Sequence, residues 1–221
     1  MRFDILTIFP SLFDSYLEES LIRKAGERDL IDVRVHDLRK WAVDKQGTVD
    51  DKPFGGGKGM VMKVEPIRDA VEELKSEAES KNPKVILFTP RGKRFTQRKA
   101  ANFTDNDQLI MICGRYEGVD ERISKYIADE RISIGNYVLM GGEVPAMVVV
   151  ETVSRLIPGV VGKEDFLEER EREEGFLEYP QYTRPEVVDI NGSERQVPSI
   201  LLSGDHKRIE EWKKNKGRII K

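Results

Sequence analysis

Short apolar runs alternate with amphipathic stretches along most of this chain, and several of the runs end at proline or glycine. Phe3–Phe9 is rich in β-branched and aromatic residues and stops at Pro10, which predicts a buried strand. Leu12–Ala25 places Leu12, Phe13, Tyr16, Leu17, Leu21, Ile22 and Ala25 on one stripe and predicts a single helix. Ile31–His36 reads as a second strand. Val43–Met62 has no period, is rich in glycine and is longer than a connector needs to be. Pro66 then suits a first helical turn, with Ile67, Ala70, Val71, Leu74 and Ala78 on one apolar face. Val85–Phe88, Leu109–Cys113 and Ile132–Ile134 read as further strands. Each runs into a glycine-bearing loop: Thr89–Gly92, Gly114–Gly118 and Gly135–Gly142. Ala146–Ile157 reads as a mostly buried helix.

Strands alternating with helices predict an α/β fold, a parallel sheet with helices on both faces. Ligands of such sheets settle beyond the carboxyl ends of the strands, so three successive glycine loops predict one composite site. After Pro158-Gly159 the composition changes. Residues 164–178 carry eight acidic side chains with Arg170 and Arg172, the pattern of a linker or an exposed helix. The tail, 179–221, holds Pro180, Pro185 and Pro198, then a short helical pattern around Ile209 and Trp212. It is too small to fold well alone, so it is expected to pack on the main domain or a second subunit.

Composition narrows the choice of function only a little. The 221 residues carry a net charge of −3, so bulk charge does not announce a nucleic-acid binder, and local clusters matter more. Cys113 is the single cysteine, which excludes an internal disulfide, and its apolar run points to a buried structural thiol. His36 and His206 are isolated, so no transition-metal cluster is expected. No apolar run approaches membrane-spanning length, and the chain opens directly on a strand pattern, which predicts a cytoplasmic protein.

Four segments carry candidate chemistry. Gly55-Gly-Gly-Lys-Gly-Met60 lacks the spacing of a phosphate loop, which argues against an NTPase. Its glycines call for close backbone approach or positive φ. With Asp50-Asp51 before it, the segment reads as a substrate loop, the plain alternative being a flexible surface loop. Arg91, Lys93, Arg94, Arg98 and Lys99 gather five positive charges in nine residues. They suit either a phosphate-contacting edge or a solvated helix start. Cys113–Arg122 and Ser133–Pro145 are glycine-punctuated turns before helices. They offer bare amides to a ligand, or are ordinary strand-to-helix connections.

Taken together, Thr48–Asp51 with Gly55–Met60, Ile112–Arg122, Ser133–Pro145, Ile157–Gly159, Tyr182–Pro185 and Leu202–His206 resemble the bacterial tRNA (guanine-N1)-methyltransferases in order and spacing. The resemblance implies a SPOUT fold over residues 1–160, with an S-adenosylmethionine-binding trefoil knot at about 85–150. It also implies a linker at 161–178 and a shortened, mainly helical tRNA-binding domain at 179–221. S-adenosylmethionine would be held by Pro90, Gly92, Gly114, Tyr116, Glu117, Gly118, Ser133, Ile134, Gly135, Tyr137, Leu139, Gly141, Gly142 and Pro145. Asp50 and Gly59 would contact the substrate.

The implied reaction is methyl transfer to N1 of guanosine 37 in a tRNA carrying guanosine at positions 36 and 37. It needs a base for the N1 proton and a cation or donor near O6. Arg155 matches the family arginine for the second role. For the first, ungapped counting puts Arg170 where the family has a carboxylate, and arginine cannot accept a proton at neutral pH. Glu169 is the favoured base, with Glu171 and Asp165 as alternatives. A homodimer and magnesium, with Glu117 as a contact, are implied as well. Other readings are an RNA-binding protein that keeps S-adenosylmethionine but has lost catalysis, or a SPOUT methyltransferase for another RNA site.

Overall fold

The computed structural model describes residues 1–161, 176–177 and 179–219. Five parallel strands form the main sheet: β1 (Arg2–Thr7), β2 (Asp32–Asp37), β3 (Pro83–Arg94), β4 (Gln108–Ile112) and β5 (Glu130–Ser133). Their order across the sheet is β2-β1-β4-β3-β5. Alternation along the strands explains why both faces are covered. Phe3, Ile5, Ile86, Phe88, Leu109 and Met111 enter one core, with α1 (Ser20–Glu27), α3 (Gln97–Phe103) and α5 (Glu143–Ser154). Leu6, Val85, Leu87, Ile110 and Ile112 point the other way, into a core with α2 (Val64–Glu77) and α4 (Glu121–Tyr126). Helix starts follow their caps: the Thr96 side chain accepts from Lys99 N–H and that of Asp120 from Arg122 N–H.

A charged residue interrupts the apolar pattern of β1. Asp4 is fully buried in β1 and accepts from Arg2, His36 Nε2 and Gln108 Nε2, each at 2.8 Å. Burial by itself would raise its carboxyl. The bonds from His36, Arg2 and Gln108 outweigh that and hold it below the ordinary carboxylate range.

The stripe over Leu12–Ala25 is not one helix. Pro10–Phe13 is a 3-10 turn and Asp14–Leu17 a single helical turn, and the helix then breaks so that Ser20, at φ 55°, opens α1. The break lets Phe13, Ile22 and Ala25 reach one core while the Tyr16 hydroxyl meets the Met147 carbonyl at 3.3 Å and Glu151 at 3.1 Å. Tertiary contacts here override local periodicity. The loop predicted over Val43–Met62 closes on itself through an antiparallel pairing of Asp50–Asp51 with Val61–Met62.

The chain divides into two compact units, Met1–Arg170 and Glu171–Lys221. Within the second, β6 (Val187–Ile190) and β7 (Ser193–Gln196) form a hairpin. Its turn is Asn191-Gly192, both at positive φ, as a tight hairpin turn requires. Helices α6 (Ser199–Leu202) and α7 (His206–Lys216) follow, and the Asp205 side chain caps α7 by accepting from Arg208 N–H at 3.1 Å. Trp212 on α7 meets the rings of Tyr179 and Tyr182 at 6.2 and 6.3 Å, and Lys213 Nζ lies 5.3 Å from the Tyr179 ring centre. The helical pattern read around Trp212 is therefore present, with a hairpin beside it.

Candidate functional site

A cavity of about 350 Å³ opens beyond the carboxyl ends of β3, β4 and β5. Its walls are Leu87–Arg91, Gly114–Val119, Arg131–Gly135, Tyr137–Gly142 and Pro145. The three glycine loops thus converge on one space, within the size range of small-molecule sites. Of the positions that the resemblance gave to the cofactor, every one except Gly92 lines it.

Gly92 explains how the first wall is made. Phe88 and Lys93 both lie opposite Ile132 of β5, so Thr89–Gly92 is an excursion that leaves the ladder and rejoins it at the same partner. A Cβ on Gly92 would stand 2.5 Å from the Ile132 backbone nitrogen, so only glycine allows this crossing. After it, Phe95 N–H donates to the Ser133 carbonyl at 2.8 Å.

The second and third walls are stitched together. Gly142 N–H donates to the Gly114 carbonyl at 3.0 Å, and a Cβ on Gly142 would lie 2.6 Å from the Cys113 Cα. Tyr116 is in the left-handed region at φ 59°, where non-glycine residues are uncommon, and turns a half-exposed ring outward. Ser133 Oγ donates to the Gly135 carbonyl at 2.9 Å, and the Tyr137 hydroxyl to that of Ile134 at 3.3 Å. Cys113 is fully buried behind this wall. Burial, with the Glu143 charge added, pushes its thiol well above the usual range, which leaves it inert.

Glu143, in the first turn of α5, is 1% exposed and has hydrogen-bond partners on two different elements. Its carboxylate accepts from Thr7 Oγ1 at 2.7 Å and from Arg115 Nε at 2.9 Å. Arg115 also reaches the Met140 carbonyl at 3.4 Å and lies 4.7 Å from the centre of the Phe9 ring. This network ties the end of β1 and two cavity loops to the start of α5. No role for Thr7 or Glu143 follows from sequence reading. The available signal was one acidic residue heading the apolar run Val144–Val150.

The remaining candidates lie apart. Asp50 sits on the short pairing with Met62, and Gly59, at φ 84°, is pressed on the Glu117 side chain. Arg155 caps the far end of α5 and is exposed, roughly 15 Å along the helix from Pro145 at 1.5 Å per residue. Glu169, Glu171 and Asp165 lie outside the described residues. Among the described residues, no group of three or more His, Cys, Asp or Glu could hold a metal ion, and no helix is long and apolar enough to cross a membrane.

Fold and cavity define an α/β protein with a cavity of small-ligand size, walled by glycine loops at the carboxyl ends of its strands. The sequence profile described as tRNA (Guanine-1)-methyltransferase TrmD matches residues 1–219. A tRNA (guanine-N(1)-)-methyltransferase of Citrifermentans bemidjiense is 49% identical over 97% of this chain and 84% of its own length. That of Geobacillus kaustophilus is 50% identical over 96% and 85%. That of Clostridioides difficile is 45% identical over 100% and 94%. The chain belongs to the tRNA (guanine-1)-methyltransferase family. Membership makes it an enzyme with tRNA as its substrate, and implies S-adenosylmethionine as methyl donor.

Proposed function

We propose that the chain methylates N1 of guanosine 37, next to the tRNA anticodon, at a site completed by a second copy of itself. The observation that carries this reading is the cavity at the carboxyl ends of β3–β5, in a chain that matches the family over residues 1–219. The cavity residues fit S-adenosylmethionine: backbone amides and carbonyls for the adenine edge, Leu139, Ile134 and Pro145 for its faces. When bound there, this cofactor supplies an electrophilic methyl group. The crossing at Gly92 supports the trefoil knot reading for this region.

Two features support a homodimer. Val144 and Val148, one turn apart on α5, are 55% and 37% exposed, and Phe9 and Leu12 add further apolar surface. Such a face favours a partner. Moreover, Arg155 is separated from its own cavity by most of α5, so it serves guanine O6 most simply at the cavity of the other subunit. The base is assigned to a linker carboxylate, Glu169 first and Glu171 or Asp165 as substitutes, with the proton moving from N1 to that oxygen. For magnesium the carboxylates on the described cavity wall are Glu117 and Glu121, and no step is assigned to the ion. The unit at 179–221 is taken as a tRNA-binding element, supported by Lys213, Lys214 and Lys216 on α7.

The test is methyl incorporation into a tRNA with guanosine at 36 and 37. Replacing guanosine 37 by adenosine abolishes it if the reading holds; undiminished incorporation sinks it. Arg155→Ala is expected to cut turnover on the order of 10²-fold while S-adenosylmethionine affinity stays unchanged.

A further inference from the structure

Phe54 stands before Gly55–Gly57 with its side chain wholly in water, at 101% exposure. Among the described residues Phe3, Phe13, Phe88 and Phe103 are buried in the core, and even Phe9 is covered more than half and carries Arg115. Phe54 is therefore unused by folding, yet the hairpin that bears it is fixed to the cavity. Glu117 N–H donates to the Met60 carbonyl, Met62 N–H to the Gly118 carbonyl and Asp120 N–H to the Met62 carbonyl, each at 3.0 Å. Gly59 rests on Glu117 at the same place. Five residues of chain keep Phe54 within roughly 17 Å of that contact.

The tip itself is open. Gly55, Gly56 and Gly57 have φ of 86°, 78° and 132°, and added Cβ atoms at the first two would meet nothing within 4 Å. These glycines keep the tip narrow and clear of bulk around the ring. Lys52 and Lys58, both exposed, flank it. An exposed aromatic ring between two cations is the combination that holds an unstacked nucleobase and its phosphates.

We propose that Phe54 stacks on a nucleobase of tRNA next to the guanine that is methylated, with Lys52 and Lys58 against the adjoining phosphates. The inference rests on the tRNA guanine-N1 reading above. A guanine whose N1 edge enters a cavity must leave its stack, which is unfavourable. A protein ring taking the vacated face offsets that cost, since every base presents a π-face on which an aromatic ring stacks.

The test compares the wild-type chain with Phe54→Ala and Phe54→Trp. Two readouts are used: steady-state methylation of tRNA, and fluorescence of a tRNA carrying 2-aminopurine at either neighbour of the target guanosine. Phe54→Ala is expected to lower kcat/KM for tRNA roughly ten- to hundred-fold. It should leave S-adenosylmethionine affinity of the free protein unchanged and abolish the stacking quench of 2-aminopurine. Phe54→Trp should restore both. Unchanged kcat/KM in Phe54→Ala overturns the proposal, as does a Trp variant no better than Ala. A shift of Phe54→Ala to a smaller assembly in sedimentation also overturns it, because the ring would then be covered by a second copy. A wild-type chain that fails to methylate guanine N1 sinks the functional reading instead, so the two failures are distinguishable.

Discussion

At Gly92 an added Cβ would stand 2.5 Å from the Ile132 nitrogen, and at Gly142 2.6 Å from the Cys113 Cα; at Gly55 and Gly56 it would meet nothing within 4 Å. The cavity loops and the hairpin tip are both glycine-rich, but for opposite reasons. At Gly92 and Gly142, glycine is present because backbones touch, and the resulting walls are fixed by their neighbours. At the tip, glycine is present because φ is positive while the surroundings are empty. One loop system is pre-shaped for a ligand; the other is free to settle onto a larger, irregular surface.

The largest test of this contrast is Gly92→Ala. The methyl cannot fit without moving the strand crossing, and overpacking of this kind costs about 3 kcal/mol or more. A melting temperature lower by roughly 6–12 °C is expected for a chain of this size. A melting temperature within error of wild type would show that the crossing yields, and the contrast would fail.

Glu143→Gln comes next. It leaves the Arg115 charge without its buried partner at the junction of the cavity loops, for an expected loss of about 2–3 kcal/mol. S-adenosylmethionine affinity, measured by calorimetry, should fall as well, because the wall that Arg115 tethers loosens. Stability lost with affinity intact would separate the network from the cavity.

Smallest is Gly56→Ala. Its only cost is left-handed backbone, about 1–2 kcal/mol at most and less where the tip can relax. Chemical denaturation should therefore find it near wild type, and a loss matching that of Gly92→Ala would erase the distinction between the two loops.

Much of this architecture is legible in the sequence. β1, β3 and β4 each send apolar residues into both cores, so short apolar runs mark buried parallel strands directly. The glycine loops are legible because no other residue tolerates those contacts. Other features depend on residues far apart in the chain. Thr7 and Glu143 meet across 136 positions, and nothing local in either predicts the pairing. The break at Ser20 depends on Tyr16 finding Met147, again a tertiary event. The hairpin at Asn191-Gly192 is a different case: the turn dipeptide stands in the sequence, but its strands are exposed throughout and lack the alternation that marks a strand.

The main-chain lining of the cavity bears on how the protein could escape an inhibitor. Resistance usually arises when a side chain that a compound touches is exchanged for another. A compound that uses the amides and carbonyls of Gly114, Ile134, Gly141 and Gly142 offers few such exchanges. The glycines among them are held by contacts that a methyl group would violate at Gly141 and Gly142. Substitutions there would damage the cavity before they dislodged its occupant, so the routes to resistance narrow to the exposed rim at Tyr116, Val138 and Met140.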